Sequence, residues 1–153
     1  MSSSSFNTPY KSWQRYYPGD EYVDWVGYSY WEGISNDGDS LRFARDKKKP
    51  VFIAESTPRG HFLDKEDGQQ LWSSWYEPFF RHIKDNIDVV RAISYINCNW
   101  EAQPMWKGGE WGNTRIELNK NIKKKWLQKM QQPRFVNAND KPFEFIGFSP
   151  LGD

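Results

Sequence analysis

The chain has 153 residues, 37% of them hydrophobic and 27% charged, a size that suits one modest domain or a piece of a larger one. Twenty-one Lys and Arg against 20 Asp and Glu leave a net charge of +1, which offers no general attraction to phosphate backbones or anionic lipid, so neither nucleic acid nor a membrane is expected as a partner. One cysteine, Cys98, with only His61 and His82 beside it, excludes a disulfide scaffold and gives no zinc spacing.

The first ten residues, with the run Ser2-Ser3-Ser4-Ser5, lack the basic start and the apolar stretch of a secretory signal. Further along, three segments read as buried strands. The first is Tyr22 to Trp31, introduced by the Pro18-Gly19-Asp20 turn. A helix over Leu41 to Lys48 follows, capped by Asp39 or Ser40 and ending in the Lys47-Lys48-Lys49 run. The second strand, Pro50 to Glu55, shows no alternation and suits a parallel strand covered on both faces. Leu71, Trp72, Trp75, Phe79 and Ile83 recur at helical spacing between Asp67 and Asp85, where Pro78 is expected to kink or split the helix. The third strand, Val89 to Asn97, leads to Asn99 and Trp100. Ile116, Ile122, Trp126, Leu127 and Met130 then mark a final amphipathic helix with its lysines mostly outside. Pro133 ends that helix, leaving a tail over 133–153 whose Phe143 to Phe148 stretch suits packing on the outside of the domain or pairing as an edge strand.

Strand and helix alternate at spacings of roughly 30 to 40 residues, the pattern of parallel α/β sheets built from βα units. No G-x-G-x-x-G or G-x-x-x-x-G-K loop stands here for an open nucleotide-binding sheet. A (β/α)8 TIM barrel fits better, and since a complete one takes about 250 residues, the expected fold class is a partial barrel of about three βα units. Barrel chemistry sits at the carboxyl ends of the strands. Glu55 occupies such a place behind Val51-Phe52-Ile53-Ala54, where a carboxylate is costly unless paired or used; a structural Glu accepting from the Ser56-Thr57 turn is the competing account. The other strand ends contribute Tyr30 and Trp31, then Asn97, Asn99, Trp100 and Glu101. With nine Trp, eight Tyr and ten Phe in the chain, the mouth they form is rich in rings and amides and suits a neutral polyhydroxyl ligand better than a phosphate.

Three motifs carry a resemblance: Tyr16-Tyr17-Pro18-Gly19-Asp20-Glu21-Tyr22-Val23-Asp24-Trp25-Val26-Gly27, then Lys49-Pro50-Val51-Phe52-Ile53-Ala54-Glu55-Ser56-Thr57-Pro58, then Ile93-Ser94-Tyr95-Ile96-Asn97 with Trp100-Glu101-Ala102-Gln103-Pro104-Met105-Trp106. In this order and spacing the chain resembles glycoside hydrolase family 26, the β-mannanase family, from about Trp13 to Gln131. The resemblance implies that 1–132 is the carboxyl-terminal portion of the family's (β/α)8 catalytic domain. It also implies a retaining hydrolase of β-glycosidic bonds in a polysaccharide such as β-1,4-mannan, using two glutamates about 5 to 5.5 Å apart and no cofactor or metal. Glu55 matches the nucleophile. The acid/base would lie upstream of Met1 and nothing in the chain matches it, so the chain alone is expected to be inactive or nearly so, with the missing amino-terminal part of the barrel as a possible partner beside the polysaccharide.

Where many family members hold the nucleophile with a Tyr, the register here gives Trp31, with Tyr30 one residue earlier. Only one of the two can face the mouth unless a bulge intervenes. Trp100 matches the ring under the sugar next to the scissile bond, and Trp106 extends the cleft or anchors its loop. The resemblance further implies an extracellular location. His61 reads as a loop histidine and His82 as a helix-surface residue. Asn36-Asp37-Gly38-Asp39 resembles a calcium loop but lacks the alternating ligands and terminal Glu of an EF-hand, so a turn with a helix cap accounts for it. A non-catalytic carbohydrate-binding protein and a truncated product without function remain the alternatives.

Overall fold

The computed structural model describes residues 2–3, 9–31 and 38–136. Asn36 and Asp37 of the acidic turn and the Phe143 to Phe148 stretch lie outside them. The elements run β1 (Ser2–Ser3), α1 (Tyr10–Tyr16), β2 (Val26–Tyr30), α2 (Gly38–Asp46), β3 (Val51–Ser56), β4 (His61–Phe62), α3 (Gly68–Leu71), a π-helical turn (Trp72–Tyr76), α4 (Glu77–Asp85), β5 (Val90–Ile93), β6 (Gly112–Asn113) and α5 (Lys120–Met130). Short 3-10 turns stand at Trp100–Ala102 and Ile116–Leu118. The main sheet has the order β1-β2-β3-β5, every neighbour parallel, and β4 pairs with β6 in a small parallel sheet of its own. Among the described residues the main sheet is open, with β1 and β5 at its edges.

Its two faces differ. Register sets Tyr28, Ile53 and Ile93 abreast on one face and Gly27, Phe52 and Ala92 abreast on the other. The first face packs on the helices: Tyr30 meets the rings of Trp75, Phe79 and His82, and the Tyr28 hydroxyl lies 2.5 Å from His82 Nε2. His82 therefore turns inward to the sheet rather than outward to solvent, because a histidine at this point of α4 finds two tyrosines in place of water. On the second face Phe52 keeps 36% of its surface exposed, so no described helix covers it.

The helices reach this arrangement by local chemistry that hydrophobic spacing does not show. Asp39 and Ser40 do not cap α2, which begins at Gly38; Asp39 Oδ2 accepts from the Tyr10 amide and Ser40 Oγ from Trp13 Nε1, so both pin α1 onto α2. Phe43, fully buried, lies within 5.1 to 5.7 Å of the rings of Tyr10, Trp13 and Tyr17. Burying a phenylalanine this way contributes about 1.5–3 kcal/mol. The helical stretch is divided, as Pro78 suggests, with the proline at the start of α4. The π turn just before it widens the backbone so that the Glu77 amide donates five residues back to Trp72, relieving the crowding that a proline ring imposes on the preceding turn. Asn119 caps α5 through Oδ1, accepting from Asn121 and Ile122, while its Nδ2 donates to the carbonyls of Leu63 and Glu66. Beneath the sheet the Tyr76 and Tyr95 hydroxyls share a 2.8 Å hydrogen bond, and burial pushes the pKa of both phenols up. Past Pro133 the chain still belongs to this body, since Phe135 packs edge-on against Phe80.

Candidate active site

Glu55 owes its orientation to one extra residue in β3. Tyr28 pairs with Ile53, but Ser29 pairs with Glu55, so Ala54 bulges out between them. With strict alternation Glu55 would stand opposite Tyr30 on the helix-packed face. The bulge turns it to the side of Gly27, Ser29 and Phe52, which is how bulges near active sites re-aim a side chain. There Ser29 Oγ donates to Glu55 Oε2 at 2.7 Å, and the carboxylate is half-buried. The strand end is held on both sides: the Thr57 amide donates to the Tyr30 carbonyl, Ser56 Oγ to the Ser94 carbonyl, and the Ile96 amide to the Ser56 carbonyl.

Alternation also separates Tyr30 from Trp31. Tyr30, 2% exposed, stays in the core among Trp75, Phe79 and His82, on the face away from Glu55. Trp31 takes the mouth side, where its ring meets Trp111 edge-on at 5.5 Å. Trp111 in turn touches Trp100 at 5.0 Å and Trp106 at 4.8 Å, and Arg59 stacks its guanidinium 4.4 Å above the Trp111 ring. The carboxyl ends of β2, β3 and β5 thus converge in a cluster of tryptophans. The β4–β6 pair holds it in place by tying the loop after β3 to the loop after β5, with the Gly60 amide donating to the Trp111 carbonyl.

Trp100 is only 9% exposed: Trp106 and Trp111 lie against its ring, and its Nε1 donates to Thr114 Oγ1. Asn97 is occupied within the fold, its Oδ1 accepting from the Ile116 amide and its Nδ2 donating to Glu117. That bond holds the Glu117 carboxyl below the usual carboxylate range. Asn99 forms an isolated bridge with Asn113 next to the cluster. His61 sits on β4, where Nδ1 pairs with Glu66 at 2.7 Å. A cleft of about 390 Å³ opens at the opposite end of the strands, among Arg45, Lys48, Lys49, Asp88 and Arg91, remote from the mouth.

The arrangement presents a carboxylate nucleophile candidate with one defined hydrogen-bond donor, at the same strand ends as a tryptophan cluster in which Trp31 and Trp100 are themselves buried. Ser29 was not legible beforehand as its partner, because only the bulge brings the two residues abreast. Removing that donor should matter to reactivity more than to folding. Ser29→Ala is expected to slow any reaction at Glu55 by roughly 10- to 100-fold, the worth of one hydrogen bond to a charged group, with little change in thermal unfolding. Kinetics and a melt on the same preparation check this; equal rates would show that the bond does not position the carboxylate. Among the described residues no three His, Cys, Asp or Glu side chains gather where they could hold a metal ion.

No protein-family model matches the chain. It is similar to a β-1,3-xylanase, TXYA, of a Vibrio species, with 34% identity over 87% of this chain, and to a β-1,3-xylanase of an Alcaligenes species, with 32% identity over 87%. The chain spans about a third of the length of these curated relatives, 34% and 33% respectively. Both relatives are glycoside hydrolases by name. No helix among the described residues is long and apolar enough to cross a membrane.

Proposed function

We propose that the chain is part of a retaining glycoside hydrolase acting outside the cell on a β-1,3-linked xylan, with Glu55 as the nucleophile. The observation that carries this reading is the bulge at Ala54, which puts Glu55 at the carboxyl end of a parallel strand, on the uncovered face and on the Ser29 hydroxyl. In the reaction a Glu55 oxygen attacks the anomeric carbon, the bond to the leaving sugar oxygen breaks, and that oxygen takes a proton from a second carboxyl group in its acid form; water, giving its proton back to that group, then releases the glycosyl ester. In this reading the second carboxylate belongs to polypeptide outside the four parallel strands described, strands that form part of a (β/α)8 barrel whose interior would cover Phe52. The parallel order, the helices on one face only and the position of Glu55 support it. Without that proton donor, cleavage of a natural glycan is slower by roughly 10² to 10⁴.

The relatives' names favour a β-1,3-xylan over the β-1,4-mannan that the motifs bring to mind. Dinitrophenyl β-glycosides test both points, since their leaving group departs without a proton and so relieves the chain of needing an acid. The dinitrophenyl glycoside of β-1,3-xylobiose is expected to be cleaved in preference to that of β-1,4-mannobiose. Preference for the mannoside would move the substrate to mannan, and binding of the disaccharides with no cleavage of either glycoside would make the chain a carbohydrate binder.

A further inference from the structure

Glu101 follows Trp100 on the 3-10 turn beyond β5. Its Oε2 accepts from the Gly108 amide at 3.1 Å, yet its Oε1, although buried, has no hydrogen-bond partner among the described residues. A buried carboxylate oxygen without a donor costs free energy, and Gly108 needs only one oxygen; a glutamine would hold it as well. The fold by itself gives no reason for a carboxylate here.

The loop above it, Pro104 to Glu110, is tied down lightly between two anchored ends, Gln103, whose amide donates to the Trp100 carbonyl, and Trp111, whose carbonyl accepts from the Gly60 amide. The Trp106 and Lys107 amides both bond back to the Gln103 carbonyl and the Gly109 amide to Trp106, so these bonds stay inside the loop. The backbone turns left-handed at Gly108 (φ 73°) and at Glu110 (φ 55°), a conformation uncommon for a glutamate. Met105 is 83% exposed, and between those ends what presses the loop onto Trp100 and Glu101 is the ring contacts of Trp106 and the one bond from Gly108. Segments with so few outward bonds open at a small fraction of the global unfolding free energy. Lifting this one uncovers an aromatic ring and a hydrogen-bond acceptor side by side, complementary to the C–H face and the hydroxyls of a sugar.

We propose that Glu101 is a substrate-binding residue whose Oε1 accepts a hydrogen bond from a glycan hydroxyl admitted when the Pro104–Glu110 loop lifts off Trp100. This deepens the glycosidase reading and rests on it, adding a specificity-determining carboxylate to the nucleophile.

Titration calorimetry with β-1,3-xylotetraose, run on the full chain and on Glu101→Gln, tests it. The substitution keeps an oxygen for Gly108 and puts an amide NH2 in place of the unpartnered oxygen. The Kd is expected to rise about tenfold or more, with a thermal midpoint equal to or above that of the parent. An unchanged Kd, or a midpoint lowered by the substitution, would make Glu101 a structural support of the loop and overturn the proposal. Should the parent cleave the dinitrophenyl xylobioside but not bind the tetraose, the proposal fails alone; should it do neither, the glycosidase reading fails with it.

Discussion

Glu55→Ala is expected to lower cleavage of an activated β-1,3-xylobioside by about 10⁴-fold or more, because it deletes the atom that forms the bond to the anomeric carbon and leaves no neighbour to replace it. Ser29 points its hydroxyl at this carboxylate, and the other residues turned to that face, Gly27, Phe52 and Ala92, carry no nucleophile. Glu55→Gln should behave almost as badly, since a neutral amide keeps the shape and the Ser29 contact while losing the nucleophile. Both variants should fold as the parent does, because Glu55 is half-buried and its removal leaves no charged partner stranded. Steady-state rates paired with melts separate this from a structural role. A variant that loses activity only by unfolding would return Glu55 to the part of a strand-end glutamate.

The largest effect on stability is expected at Gly112. Its φ is +82°, and a Cβ there would stand 2.1 Å from the His61 carbonyl oxygen, a backbone atom fixed by the β4–β6 pairing. Gly112→Ala therefore combines left-handed strain with a steric clash that no side-chain rotation relieves, at roughly 2–5 kcal/mol in sum. The damage is also local to the mouth: unpairing β4 from β6 frees Trp111 from the Gly60 amide and the Trp31, Trp100 and Trp106 contacts follow. Gly38→Ala is the control. Among the described residues nothing lies within 4 Å of its would-be Cβ at the start of α2, so it should be neutral or stabilising by up to about 1 kcal/mol. Chemical denaturation of the two variants should part them clearly, and equal midpoints would contradict the role assigned to the small sheet.

Much of this was legible in the residues. The apolar centres of β2, β3 and β5, the helical spacing around Trp72 and Phe79, and the lysine-rich last helix all follow from side-chain periodicity, which burial enforces. Glu55 stood out because a carboxylate at the end of an apolar strand is expensive. Its facing did not: Val51 to Ser56 has no alternation from which a one-residue bulge could be read, so the partnership with Ser29 appears only in three dimensions. The same bulge leaves β2 regular, which is why Tyr30 goes to the core and Trp31 to the mouth. Helix α1 was missed because its order comes from Phe43 and Asp39, far along the chain, rather than from its own pattern. His82 and Asn97 are each satisfied by a group more than fifteen residues away, which no local pattern announces.

If Glu55 forms a covalent bond to the sugar, intact-mass analysis after incubation with a 2-deoxy-2-fluoro-β-1,3-xylobiosyl fluoride reveals it directly. The fluoride leaves without a proton, and the fluorine at the 2-position slows hydrolysis of the ester, so the intermediate accumulates. One glycosyl adduct per chain is expected, mapped to the peptide containing Glu55 and absent from Glu55→Gln. An adduct on another carboxylate, or a Glu55→Gln variant labelled as readily as the parent, would contradict it.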